Sequence, residues 1–152
     1  MTAAEIIQKI MNVWATDPDL QAFCQASYGR RPLIRGFVDL EKPIPDHHFP
    51  VIGFYGTKSG GGMNGLLARH EFLVGFAVLD DGIERDDALN VETSVGLSRV
   101  QTFRDLAERA LYKARLGKIT WEGEEDPLTD FPVLTSMTVI TVEIQNTKPR
   151  RI

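Results

Sequence analysis

The sequence predicts an α+β fold: a mixed or antiparallel sheet of about four strands with two main helices packed on one face. Two observations carry this. Apolar residues recur at helical spacing near the N-terminus and again after residue 98, and they alternate with period two over residues 69–80 and 133–144. A third sets the domain count: the 152 residues contain no internal repeat and no linker, so residues 1–152 form a single domain.

Thr2 and Glu5 form a capping box at the head of a first helix over residues 3–15, with Ile6, Ile7, Ile10, Met11, Val13 and Trp14 at helical spacing. Asp17 and Pro18 suit the N-cap and first position of a short second helix, with Leu20, Phe23 and Cys24 inward and Gly29 as its stop. Residues 33–40 read as extended. Pro43, Pro45 and Pro50 then forbid regular structure across EKPIPDHHFP.

A strand over residues 51–56 leads into TKSGGGMNG, read as a flexible hairpin loop over residues 57–65. In the following strand Phe72, Val74, Phe76 and Val78 share one face, and Leu73, Gly75, Ala77 and Leu79 the other. Both faces are apolar, so each calls for a cover, one from helices and one from something else. Residues 80–94 read as a long acidic loop. Ser98 with Gln101 forms a second capping box, starting a helix with Val100, Phe103, Ala107, Ala110, Leu111 and Ala114 on one face and Gly117 at its end. A short strand over residues 119–122 and a long one over 133–144 complete the chain. Phe76 and Phe103 are expected to meet in one core.

Composition narrows the function. The net charge is −4, and the basic pairs and ends are short, which argues against a broad nucleic-acid footprint and sequence-specific DNA or RNA binding. A single cysteine, Cys24, permits no internal disulfide and suits a reducing compartment. The longest apolar run is eight residues, short of the roughly 20 that a membrane helix needs, so no membrane partner and no secretion signal are expected.

The glycine-rich stretch invites a phosphate-cradle reading, but Lys58 precedes the glycines, and Gly65 is followed by a strand pattern where a P-loop or dinucleotide turn needs a helix. Asp46, His47, His48 and the distant His70 lack metal-ligand spacing, and the acidic run DDGIERDD lacks the alternating oxygen ligands of a calcium loop. No nucleophile elbow or triad stands out. The expectation is a non-enzymatic protein with no catalytic residue, no metal and no cofactor.

The segments FPVIGFYG, TKSGGGMNG, RHEFLVGFAVLD, SRVQTFRDLAERALYKA and MTVITVEI, in that order after an N-terminal helix, resemble the tail-terminator and tail-to-head-joining (minor tail) proteins of long-tailed bacteriophages. The resemblance spans residues 3–145. The acidic loop is longer than is usual there, and EKPIPDHHFP has no placed counterpart. It implies a phage or prophage virion component, assembled in the host cytoplasm. Such a protein forms a homo-oligomeric ring, commonly of six, that ends the tail tube and joins it to the head connector. Its partners would be further copies of itself, the tail-tube protein and the head-connector protein. A ring supplies the missing cover for a two-faced strand, and Thr57, Lys58, Ser59, Gly60, Gly61, Gly62, Met63, Asn64 and Gly65 become the expected assembly arm. The alternatives are a small α+β metal- or ligand-binding protein or enzyme using the His47–His48 segment, or another phage head-completion or tube subunit.

Overall fold

The computed structural model describes residues 1–61 and 67–145. Helix α1 (Ala3–Thr16) and helix α2 (Pro18–Tyr28) are followed by strand β1 (Leu33–Arg35), a 3-10 turn (Asp46–His48), and strands β2 (Val51–Gly61) and β3 (Leu67–Leu79). A small hairpin, β4 (Ile83–Asp86) and β5 (Val91–Ser94), precedes helix α3 (Val95–Ala114) and strands β6 (Lys118–Glu125) and β7 (Val133–Gln145). The main sheet has the order β1-β2-β3-β7-β6. Only β1 and β2 are parallel; the other neighbours run antiparallel. This is the expected α+β class, with five strands in the sheet in place of about four.

Local chemistry accounts for most of the boundaries. Thr2 accepts a hydrogen bond from the Glu5 amide at 3.2 Å, and Asp17 accepts one from the Leu20 amide at 2.9 Å, so each of the first two helices starts on a side-chain cap. Gly29 closes α2 in the left-handed region at φ 71°, where a Cβ would be strained. The expected capping box at Ser98 is corrected: α3 begins one turn earlier, behind Ser94, and Gln101 instead donates to Asp126 at 2.9 Å. It ends with Arg115 in the left-handed region, two residues before Gly117.

Two loop expectations are also corrected. Residues 80–94 contain the β4–β5 hairpin, held by Arg85, which reaches Asp87, Asn90 and Glu92. Thr57, Lys58, Ser59, Gly60 and Gly61 are not loop residues: they extend β2 and pair with Phe72, Glu71, His70, Arg69 and Ala68. Backbone pairing with an intrinsically strong strand carries weak strand formers along. Gly62, Met63, Asn64 and Gly65 lie outside the described residues. The extended segment expected over residues 33–40 is regular only over β1.

The core lies between the three helices and one face of the sheet. Trp14, Phe72, Phe76 and Phe103 are fully buried there. Phe76 and Phe103 meet edge to face at 5.5 Å, as expected from the sequence. Trp14 packs against Phe54 and Phe76 and donates its Nε1–H to the Ala107 carbonyl at 3.0 Å, tying α1 to α3. Aromatic contacts of this kind add about 0.5–1.5 kcal/mol each beyond burial.

Candidate functional site

The sheet's second face is where the molecule is incomplete. Pairing places Leu73 opposite Val139, Gly75 opposite Met137, Ala77 opposite Thr135 and Leu79 opposite Val133, all facing away from the helices. Near β1 this face is covered by the loop that follows β1: Val38 approaches within 2.8 Å of where a Gly53 Cβ would sit, and Val51 is buried. Farther along there is no such cover among the described residues. Tyr55 is 45% exposed and Leu73 37%, with Ala77, Leu79, Met137 and Val139 only half-buried.

A bulge in β2 positions the tyrosine. The β2–β3 register shifts between Phe54 and Gly56, leaving Tyr55 as the extra residue. Its ring lies over Gly75, where a Cβ would stand 2.6 Å from Tyr55 Cε2 and 3.0 Å from Met137 Sδ. Gly75 thus lets the edge of an aromatic ring approach the sheet closely, which makes an apolar platform of Tyr55, Leu73, Met137 and Val139.

Toward the hairpin end the same face becomes charged. Lys58 is paired in register with Glu71, Gly60 with Arg69, and Arg69 with Glu143, which in turn pairs with Lys118. Lys58, Gly60, Leu67, Arg69, Glu71 and Glu143 line a shallow depression of about 430 Å³. Arg69 donates to Glu71 at 2.9 Å. Cations alternating with carboxylates give no uncompensated positive pocket for phosphate, and the glycines continue a strand and open no helix. On the opposite face of this end, His70 is 6% exposed, its Nδ1 is 2.7 Å from Ser59 Oγ, and its buried Nε2 has no partner among the described residues.

The other sequence-selected residues do not join this surface into a catalytic site. His47 and His48 stand edge to face at 4.3 Å on the 3-10 turn, while His70 sits within the sheet. Among the described residues no three His, Cys, Asp or Glu side chains are grouped to hold a metal ion. Cys24 is fully buried, and burial pushes its thiol up to about 12, so it is no nucleophile. No helix among the described residues is long and apolar enough to cross a membrane.

Two buried polar clusters were not anticipated. Asp80, at the end of β3, accepts from Tyr28 Oη at 3.0 Å, Arg99 Nη1 at 3.0 Å and the Gly82 amide at 2.9 Å. Burial pushes its carboxyl upward, but these hydrogen bonds and the Arg99 charge outweigh that and hold its pKa below the ordinary value. Burial, then the hydrogen bond to Asp80, pushes the Tyr28 hydroxyl well above its usual range. The second cluster is Ser136, which donates to Asp126 at 2.6 Å and accepts from Arg104 at 2.9 Å. Its hydroxyl is fully buried and fully engaged, which suits a clamp between α3 and the β6–β7 connection better than a nucleophile. Neither cluster has a local sequence signature, because the side-chain partners are 10 to 52 residues apart.

Compared with family models and with curated proteins, the sequence matches none.

Proposed function

We propose that the chain is a structural, non-enzymatic subunit of a phage or prophage tail: a tail-terminator or tail-to-head-joining protein that works as a homo-oligomeric ring. The supporting observation is the exposed apolar platform of Tyr55, Leu73, Met137 and Val139 on a sheet whose other face buries Phe72, Val74, Phe76 and Val78. A contiguous apolar patch left open beside a complete core suits a protein surface. The charged hairpin end suits adaptable polar contacts at the rim of such a surface. The order of elements, helix, hairpin, helix and strand, fits the same reading. In this function the ring would end tube growth and offer the head connector a docking plane.

The test is assembly. Purified protein is sized by light scattering, then mixed with the tube protein encoded in the same gene cluster and imaged by electron microscopy. The expected result is rings, free or seated on tube ends, and tubes of limited length. Tubes that grow unchanged, with a protein that stays monomeric, would refute the reading.

A further inference from the structure

Resting on the ring reading, we infer that neighbouring subunits join edge to edge, β6 of one copy adding antiparallel to β2 of the next, with Lys58 facing Glu122 across the junction. The occupant of each open sheet edge is therefore a second copy of this chain.

The two edges are matched. β2 has eleven residues, of which only Val51, Ile52 and Gly53 pair with β1, so the eight from Phe54 to Gly61 have no outer partner among the described residues. At the other side of the sheet β6 also has eight residues and no outer neighbour among the described residues. An unpaired edge presents a row of free amides and carbonyls ready to pair.

The directions fit as well. β3 runs opposite to β2, β7 opposite to β3, and β6 opposite to β7, so β6 points opposite to β2. Copies related by rotation about an axis inclined to the strands keep the same up-and-down sense, and the inclination accommodates a two-residue stagger per subunit. The β6 of one then meets the β2 of the next antiparallel, a heterologous contact that can close into a ring.

Charge and face select the register. Lys58 and Glu122 both lie on the face away from the helices, since they are paired with Glu71 and Val139. Both are exposed, and neither forms an ion pair with a described residue. Within one chain they are three strands apart and two residues out of line, since the row through Lys58 ends at Thr120, which makes roughly 16 Å. Setting Lys58 opposite Glu122 keeps the two open faces on one surface and places Gly56 and Gly60 opposite Glu124 and Thr120. A two-fold β6 pairing centred on Glu122 would oppose carboxylates, and a two-fold β2 pairing centred on Lys58 would oppose lysines; both of these registers are disfavoured. The acidic β6 edge, with Glu122, Glu124 and Glu125 exposed, thus recognises the edge that carries Lys58.

The experiment combines cysteine capture with charge exchange. Lys58→Cys/Glu122→Cys, oxidised at high protein concentration, is expected to give a covalent ladder ending at the ring size. Each single variant gives no ladder, and mixing the two singles gives only dimers. Lys58→Glu and Glu122→Lys should each weaken self-association several-fold at low salt, and the double exchange should restore it. The exchanges lie on exposed side chains, so circular dichroism should be unchanged and loss of fold is separable from loss of contact. Oligomers that form without cross-linking, or a double exchange that stays as weak as the singles, overturn the edge pairing and leave the ring reading standing. A chain that is monomeric alone and with tubes, and never cross-links, overturns both.

Discussion

The two faces of one sheet are built from the same strands yet have opposite fates. On the helix side Phe72, Val74, Phe76 and Val78 are fully buried, and on the far side Leu73, one residue from two of them, is 37% exposed. Strand propensity does not distinguish these positions, since every second residue is apolar on either face. What separates them is whether another element of the chain reaches them. Three helices cover the first face, and a single loop, through Val38 over Gly53, covers only one end of the second. Apolar surface that the fold leaves uncovered is available to a partner.

The sharpest break of this comparison is on the helix side. Phe76→Ala removes a ring that touches Trp14, Phe103 and Trp121. It should cost about 3–5 kcal/mol in a urea melt. A loss near 1 kcal/mol or below would mean that this face is not the stabilising core.

An intermediate effect tests whether polar bonds help to anchor the helix layer. Asp80→Asn weakens charge-assisted bonds to Arg99 and Tyr28, and should cost about 1.5–3 kcal/mol at neutral pH. Arg99 is 42% exposed at its side chain, which favours the lower end of that range. The pH dependence has a definite sign. The folded-state pKa of Asp80 is lowered, so its contribution is complete above the ordinary carboxylate value of about 3.9 and fades as pH falls through the folded value. The gap between wild type and Asp80→Asn should therefore shrink on acidification below pH ~4. Paired urea melts at neutral and acidic pH check it, and a gap that widened would reverse the assignment.

The smallest effect on folding belongs to the open face. Leu73→Ser should change stability by less than about 1 kcal/mol, because much of the side chain already meets water. The same substitution should reduce self-association or tube attachment, as read by sedimentation. A variant that unfolds would show that Leu73 belongs to the core, and one that assembles normally would remove the platform from the interface.

Much of the fold was legible locally. Thr2, Asp17 and Gly29 mark helix ends through bonds to residues three or four positions away, and the alternation in β3 and β7 needs only neighbours to be recognised. The hairpin end was harder. Glycine and serine in β2 have little strand preference of their own, and they are extended because His70, Arg69 and Ala68 lie opposite. The candidate surface was half visible: the sequence announced a strand apolar on both faces, but Tyr55 joined it only through the bulge and the missing Cβ of Gly75.

By itself the sequence determined the α+β class, the N-caps of the first two helices, the burial of Cys24 and the pairing of Phe76 with Phe103, because each follows from periodicity or from bonds between near neighbours in the chain. Tertiary structure alone decided which face of β3 is covered, which strand edges are left unpaired among the described residues, and that Asp80, Tyr28 and Arg99 form one partly buried cluster. Those features depend on how residues distant in sequence are brought together, and a period-two pattern is identical whether its second face meets a helix, water or another copy of the chain.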